Sequence, residues 1–272
     1  MNSNISLTSG IRSNLIALQS TSTLISSTQS RLATGKKVNS AVDGPAAFFT
    51  AQSLSTRAEG LYSRMDGIAK GIQTVKSADN AITSIKSVIK QMKGVAADAK
   101  GTSDATERSS LADKFDELRT QLDQLQTDAK YDGVNLLDSE TLTVEFGEKI
   151  GSATLDLTGF DGSSTGLGVG AAANAWAADA DIDAAVADLE DADGTLKTES
   201  RNLSANLSVL TTRQDFTKNL VNILQTGASD LTNADMNEEA ANLLALQTQQ
   251  NLGVNALSLA SQSSQSVLRL LS

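Results

Sequence analysis

Apolar residues recur at seven-residue steps along most of the chain. The first such pattern lies within residues 1–33 and places Leu15 between its first two members; the step positions are Ile11, Leu18, Ile25 and Leu32. A step of seven is typical of a helix that packs along another helix through one seam. The N-terminal segment is therefore predicted to be a helix with a packed seam.

The other faces of this predicted helix are polar but almost without charge. Arg12 and Arg31 are the only charged residues among the first 35, of which fourteen are Ser or Thr. Such a helix forms poorly in isolation. Two interpretations stay open: a disordered leader, or a helix that is ordered only when it packs among copies of itself, where uncharged groups avoid the cost of burying ions.

A connector follows, and after it a much longer helix. Gly35 interrupts the first pattern, and Asp43-Gly44-Pro45 predicts a turn, because proline disfavours helix at the preceding residue and suits the first turn of the next helix. The new pattern has Ala58, Met65 and Ile72 interleaved; its seven-residue positions are Leu54, Leu61, Ile68, Val75, Ile82 and Ile89. At 1.5 Å per residue this stretch would be about 54 Å long.

The middle of the chain changes period twice. After Asp104, apolar residues from Leu111 to Leu125 predict a helix that returns along the long one, and Asp132-Gly133 predicts a turn. Residues 141–146 and 152–157 alternate like the strands of a hairpin, which needs the helices for support. Nine acidic residues and one basic residue lie between positions 161 and 199, and we interpret them as a solvated surface.

Helical periodicity returns from Ile182, with Gly227 as a predicted stop. The last pattern passes through Gln250, Gly253 and Ser264; its apolar members are Leu243, Leu246, Leu257, Ala260, Val267 and Leu271. From Ala240 onward the only charged residue is Arg269. The C-terminal segment thus repeats the character of the N-terminal one, and we expect the two to pair.

The predicted fold class is mainly α: an elongated antiparallel coiled-coil or helical-bundle rod with paired terminal helices and a small β-hairpin tip. Three parts are expected, namely residues 1–42 with 233–272, residues 43–135 with 180–232, and residues 136–179. A lone pair of terminal helices would expose much apolar and uncharged surface, which soluble monomers rarely do. Head-to-tail contacts between copies, which give rings or helical filaments, would cover it.

Composition argues against several other classes of protein. The net charge of −10 disfavours a nucleic-acid role, and the absence of histidine removes the usual general base and a common metal ligand. No sequence motif for a cofactor, a metal or a nucleotide is present. The first 30 residues lack the features of a secretory signal, and no apolar run is long enough to span a membrane. We therefore expect no catalysis, no cofactor and no membrane insertion.

At both ends the chain resembles the bacterial flagellins. The N-terminal segment Arg31-Leu-Ala-Thr-Gly-Lys-Lys-Val-Asn-Ser-Ala-Val-Asp43 resembles the signature of that family, and Tyr131–Leu137 resembles its turn before the central region. The segments Ala234–Leu244 and Leu252–Leu268 resemble its C-terminal signature. The resemblance covers residues 1–138 and 180–272.

This resemblance implies a subunit exported by the flagellar type III apparatus and polymerised beneath a cap into the extracellular filament. Filament cap and hook-associated proteins and an export chaperone would be partners, the chaperone binding Leu243, Leu246, Leu257 and Val267. The subunit interface of the inner helices would use the terminal seams, namely Ile11, Leu15, Leu18, Ile25, Leu32, Leu243, Leu246, Leu257, Ala260, Val267 and Leu271. The connector would contact neighbouring subunits through Arg31, Gly35, Lys36, Lys37, Asn39, Asp43 and Pro45; simple solvation of its charges is the other interpretation.

The chain departs from the family pattern in three places. Asp43-Gly-Pro-Ala-Ala47 replaces an acidic run followed by Ala-Ala-Gly, and Arg269 precedes the last three residues instead of ending the chain. In the segment that resembles the innate-immune receptor site, Gln91 and Gly94 stand where recognised relatives carry Arg and Glu. We expect weak receptor activation.

Two structural alternatives remain at this point. A hook–filament junction protein is a relative that shares proline near position 45, but the chain length and the full C-terminal pattern favour a flagellin. A soluble coiled-coil adaptor would need charged residues beside its terminal seams, and these are missing.

Overall fold

A computed structural model describes residues 9–148, 151 and 153–270. Its helices are α1 (Ser9–Thr34), α2 (Pro45–Gly101), α3 (Ala105–Asp128), α4 (Asp179–Thr232) and α5 (Met236–Leu270). Strands β1 (Thr141–Glu145) and β2 (Thr154–Thr158) pair antiparallel, and a 3₁₀ turn covers Ala173–Trp176. The prediction of a mainly α chain with one small hairpin is confirmed.

The chain forms two compact units. One contains residues 1–56 and 224–272, and the other contains residues 57–223. The three-part division expected from the sequence concerns layers of an assembled filament, and it stays a prediction.

In the first unit α1 packs along α5. Arg31 of α1 contacts Glu239, near the start of α5, while Leu18 approaches Gly253, so the two helices run antiparallel. The predicted pairing of the terminal segments is confirmed within the described residues. α1 is ordered from Ser9, against the interpretation as a disordered leader.

The α1 side of this seam differs in one position from the sequence prediction. Ile11, Leu18, Ile25 and Leu32 are half-buried as expected. Leu15 is 39% exposed and does not belong to the seam. The seam passes instead through Thr21 and Thr28, which are buried. Thr21 donates from Oγ1 to the Ala17 carbonyl oxygen over 2.9 Å, so its hydroxyl is satisfied by its own helix.

The α5 side follows the predicted pattern. Half-buried positions alternate at steps of three and four: Leu243, Leu246, Gln250, Gly253, Leu257 and Ala260. A Cβ on Gly253 would lie 2.8 Å from Cδ2 of Leu18, so glycine allows close approach of the helices there. The side chain of Val267, and Leu271 as a whole, lie outside the described residues.

The second unit has one apolar core. α2, α3 and α4 supply most of it, and the hairpin and the segment after it complete it. Ile68, Ile82 and Ile89 of the long predicted pattern are buried, as are Phe115 of α3 and Leu196 of α4. Asp104 caps α3 by accepting hydrogen bonds from the backbone nitrogens of Thr106 and Glu107, in agreement with the predicted helix start.

The hairpin rests on this core through two inward side chains. Val144 and Leu157 are buried, and Glu145 pairs with Thr154 at the turn end of the hairpin. β2 begins two residues later than predicted. The turn at Asp132-Gly133 is confirmed: both residues have positive φ, and Tyr131 and Val134 exchange backbone hydrogen bonds of 2.9 and 3.0 Å.

A strained turn holds the only tryptophan. Asn174, Ala175 and Trp176 all have φ between 47° and 57°, a region that L-residues rarely occupy. Trp176 is fully buried, and its ring lies 5.0 Å from that of Phe115 in an edge-to-face contact. Burial of this large ring offsets the backbone strain.

The predicted stop at Gly227 is wrong, because α4 continues to Thr232. A glycine inside a helix destabilises it by about 1 kcal/mol relative to alanine. The packing of neighbouring side chains can stabilise the helix by more than that amount. Leu224 and Ala228 on either side are buried. The helix therefore ends five residues later.

Candidate assembly surfaces

The connector between α1 and α2 is tied to the junction between α4 and α5. The backbone nitrogens of Lys37 and Val38 both donate to the Thr232 carbonyl oxygen, over 2.8 and 3.2 Å. The Ala234 nitrogen donates to the Gly35 carbonyl oxygen over 2.9 Å, and Gly35 has a φ of +69°. Glycine is needed there because the chain leaves α1 through the left-handed region.

The acidic residue of the connector closes a local turn. Asp43 Oδ2 accepts from the backbone nitrogens of Asn39 and Ser40 over 3.1 and 2.9 Å, and from Ser40 Oγ over 2.9 Å. These hydrogen bonds, the Ser40 hydroxyl foremost, hold the pKa of the Asp43 carboxyl below its ordinary value of 3.8. In the single chain Asp43 thus organises its own loop before any neighbour is present.

The two connector lysines are exposed, and one has a contact within the chain. Lys37 Nζ donates to the Asp230 carbonyl oxygen over 3.3 Å. Lys36 pairs through its backbone with Asn233 in an isolated bridge. Pro45 opens α2 as predicted. Whether these residues meet neighbouring subunits stays a prediction.

Arg31 is joined to a carboxylate in the first turn of α5. Arg31 Nη1 lies 3.0 Å from Glu239 Oε1, and the Glu239 side chain is only 10% exposed. Asp235 is the cap of α5, since its Oδ1 accepts from the nitrogens of Asn237 and Glu238. Glu238 remains exposed, while Glu239 is buried in the helix pair. Arg31 and Glu239 are 208 positions apart in the chain, so sequence spacing gave no signal for this ion pair.

A second set of apolar residues faces outward from α1 and α5. These side chains are 52–67% exposed and lie off the seam: Ile16, Leu24, Leu244, Leu252, Val254 and Leu259. The sequence pattern did not predict these residues as interface residues, because the predicted interface residues of the inner helices all lie in the seam. Most of them stand one position before or after a seam residue, on sides of the helix that are turned away from the seam. Apolar residues at these neighbouring positions were the signal in the sequence.

The connector also carries exposed apolar groups beside a cleft. Val42 is 92% exposed, and the Phe48 and Phe49 rings make an edge-to-face contact at 5.5 Å. A cleft of ≈ 420 Å³ lies beside them, with Val38 and Thr232 in its wall. Both features belong to the first unit.

Gln91 and Gly94 lie on α2 in the second unit and are exposed. Apart from its chain neighbours and the backbone of its own helix, no atom lies within 4 Å of the position that a Cβ on Gly94 would take. The segment is therefore open to a partner, and its weak recognition by an immune receptor stays a prediction.

Metal binding and membrane insertion are two further possibilities for a site. The described part of the chain holds no group of three or more carboxylates close enough together to bind a metal ion. Within the same residues, none of the helices has the length and hydropathy required to cross a bilayer.

Comparison with known proteins gives the family. Residues 5–141 match the model of the bacterial flagellin N-terminal helical region, and residues 182–271 match that of the C-terminal helical region. The chain belongs to the bacterial flagellin family, a family of structural proteins.

Named relatives agree with this assignment. The chain is 34% identical to flagellin FljK of Caulobacter vibrioides over 151 residues, which are 53% of this chain and 52% of that protein. It is 44% identical to flagellin C of Rhizobium meliloti over 71 residues, or 25% of this chain and 22% of that protein. The aligned regions thus span at most about half the length of these relatives. A crystal structure of Bacillus cereus flagellin is similar with a TM-score of 0.48 and 18% identity, over 56% of this chain and 88% of that one.

Proposed function

We propose that this chain is a structural subunit that polymerises into the helical flagellar filament used for swimming, and that it performs no catalysis. The observation that carries the proposal is the outward apolar face of the α1–α5 pair. Its side chains are more than half exposed, and residues 13–30 and 240–266 carry no charge at all. A solvated helix pair normally places charges on its outer faces, so this face is suited to burial.

Copies of the same chain are the proposed occupants of that face. The outward residues Leu244, Leu252 and Leu259 would pack against neighbouring terminal helices. Uncharged Ser, Thr and Gln side chains beside them could be buried with hydrogen bonds instead of unpaired charges. The seam residues then have two roles: they join α1 to α5 within the chain, and their remaining exposed area would contact neighbours.

The connector is proposed to extend this interface. Its charged residues Arg31, Lys36, Lys37 and Asp43 lie in the same short stretch of chain as Val42, whose side chain is exposed. Contacts within the chain already hold Arg31, Lys37 and Asp43 in place. A preorganised loop loses less conformational entropy when a neighbouring copy binds it.

Export is proposed to precede this packing. Leu243, Leu246 and Leu257 are half-buried in the folded chain, and α1 packs along their helix. An export chaperone that binds them, and Val267 by its position in the sequence, must therefore hold α5 before α1 packs on it. The type III apparatus, the filament cap and hook-associated proteins complete the proposed partners, with no nucleic acid, and the finished product would be extracellular.

The test is polymerisation of the purified chain, observed by electron microscopy in ammonium sulfate, a salt that strengthens apolar burial. Thin helical filaments are expected from the whole chain and none from chains lacking residues 1–33 or 243–272. Circular dichroism should show that residues 54–125 stay helical in both truncated chains. Persistent monomers of the whole chain, or filaments of either truncated chain, would overturn the proposal.

A further inference from the structure

The segment between the hairpin and α4 is fastened to the second unit in two different ways. Its first part is paired through the backbone: the nitrogens of Phe160 and Gly162 donate to the Leu136 and Leu137 carbonyl oxygens over 2.8 and 2.9 Å. Residues 163–177, which we call the strap, do not continue this pairing. Among the described residues, each backbone–backbone hydrogen bond of the strap joins two residues of the strap itself.

Side chains of α3 bind the backbone of the strap instead. Asp123 accepts from the Ser164 nitrogen over 2.7 Å and from Ser164 Oγ over 3.0 Å. Asp116, which precedes Asp123 by two helical turns, accepts from the Ala172 nitrogen over 3.1 Å. Arg108 Nη1 donates to the carbonyl oxygen of the last strap residue over 3.4 Å. The strap thus lies along one helix and is anchored to it at separate points.

Three features oppose the closed position of the strap. Asn174, Ala175 and Trp176 have φ of 48°, 47° and 57°, in the left-handed region where Cβ approaches the following carbonyl oxygen too closely. The Trp176 ring is fully buried, yet its Nε1–H has no hydrogen-bond acceptor among the described residues. The strap also contains three glycines and five alanines, so closing it orders a mobile backbone and buries few side chains in return.

Burial of three apolar side chains favours the closed position: Leu167, Val169 and Trp176. The ring of Phe115 on α3 lies 5.0 Å from the indole ring. The helices have buried side chains of their own as well, such as Ile85 of α2 and Leu196 of α4. The long helices therefore do not depend on the strap for all of their packing, whereas the strap depends on them.

We propose that the strap is a strained cover that opens and closes over α3 as one unit while α2, α3 and α4 stay packed. Opening relaxes the left-handed residues, gives the indole N–H to water and uncovers Phe115 together with Asp116 and Asp123. Strain that only the surrounding structure maintains is found in switch regions, and such regions open locally before the whole unit unfolds. The strap thereby controls access to one face of α3. This switch belongs to the single chain and does not depend on polymerisation.

Hydrogen exchange of the indole measures opening directly, because the chain has one tryptophan. NMR of the whole monomeric chain in D₂O compares the protection factor of Trp176 Nε1–H with those of the Ile85 and Leu196 amides. The indole should be about tenfold less protected, with little dependence on low concentrations of urea, because a local opening exposes little surface. Equal protection and equal urea dependence would mean that the strap opens only when the whole unit unfolds, which would overturn the proposal.

Two alanine-to-glycine substitutions test whether strain loads the strap. Ala175 has a φ of +47°, whereas Ala173 lies outside the left-handed region, and both side chains are exposed. Ala175→Gly should raise the protection factor of the indole about threefold, because glycine adopts this conformation without strain. Ala173→Gly, the matched control, should lower it, because glycine there only adds freedom to the open strap. Changes in the same direction would overturn the proposal.

Removal of an anchor tests whether the strap moves separately from the helices. Asp123→Asn weakens the hydrogen bonds to Ser164 and should lower the protection factor of the indole about tenfold. The amides of Ile85 and Leu196 should keep their protection. Asp113→Asn changes an exposed carboxylate of the same helix and should alter neither measurement. A parallel loss of protection in the strap and in both helices after Asp123→Asn would overturn the proposal.

Discussion

Arg31 donates a hydrogen bond to Glu239 across the α1–α5 pair, and the two side chains are unequally buried. The Glu239 side chain is 10% exposed and that of Arg31 is 43% exposed. Removing arginine would leave a carboxylate buried without its partner, whereas removing glutamate would leave a cation that water can reach.

The first prediction follows from this asymmetry. Arg31→Ala should destabilise the helix pair by about 1–2 kcal/mol, and Glu239→Gln by less than about 1 kcal/mol. Amide hydrogen exchange of α1 and α5 measures the difference, and Lys36→Ala serves as a control at an exposed connector charge. Equal effects of Arg31→Ala and Glu239→Gln would show that burial does not govern this pair.

Substitution of alanine for each of two glycines of α2 should change the free energy of unfolding in opposite directions. A Cβ on Gly71 would lie 2.8 Å from Cγ2 of the buried, branched Val144. A Cβ on Gly67 would meet nothing within 4 Å beyond its chain neighbours and the backbone of its own helix. Gly67→Ala should raise the free energy of unfolding by about 0.5–1 kcal/mol through helix propensity. Gly71→Ala should lower it by about 1–2 kcal/mol through overpacking.

Urea unfolding followed by circular dichroism measures both glycine variants. If Gly71→Ala were as stabilising as Gly67→Ala, the hairpin would not pack on α2 as closely as described.

The outward face of the terminal helices should be dispensable for folding and necessary for polymerisation. Leu252→Ser and Leu259→Ser should leave the helix content of the monomer unchanged, because both side chains are about two-thirds exposed. Sedimentation should show most of the protein unpolymerised. Ser261→Ala, also exposed, is the control. Normal sedimentation of both leucine variants would assign the interface to other residues.

A charged residue in the seam should have a larger effect than loss of an outward leucine, because it should destabilise the α1–α5 pair as well as impair polymerisation. Leu257→Asp places a carboxylate where a half-buried side chain faces α1, so it should disturb the helix pair as well as polymerisation. Loss of α1 and α5 protection in hydrogen exchange is the expected result. Full protection in this variant would argue against the seam.

The connector should lose order in acid. Because the folded pKa of Asp43 lies below the ordinary value of 3.8, its hydrogen bonds stabilise the loop at higher pH and are lost as the pH falls through the lowered pKa. In NMR titration the Ser40 amide should shift together with the Asp43 carboxyl carbon. Asp43→Ala should remove the Ser40 transition, and a Ser40 amide that does not titrate in the unaltered chain would contradict the described turn.

Immune recognition is expected to be weak because Gln91 and Gly94 replace charged residues of recognised relatives. In a reporter-cell assay the chain should give a smaller response than a strongly recognised flagellin. Gln91→Arg together with Gly94→Glu should increase the response, and both positions are exposed, so the fold should tolerate them. A strong response from the unaltered chain would refute the prediction.

The sequence by itself determined the helices, their seams and the pairing of the two ends. These features depend on local periodicity: apolar residues recur at every seventh position from Leu54 to Ile89 and again from Ile182 to Leu210. The position of Asp104 before α3 and of Pro45 at the start of α2 also follows from local backbone chemistry.

Only the tertiary structure decided which apolar side chains remain exposed. Leu15 and Leu18 look alike in sequence, but only Leu18 faces Gly253, so burial depends on the partner helix. The Arg31–Glu239 pair and the continuation of α4 through Gly227 likewise depend on residues far apart in the chain. Periodicity shows that a helix has an apolar face, whereas the packed neighbours show which faces are already covered and which are left for another copy.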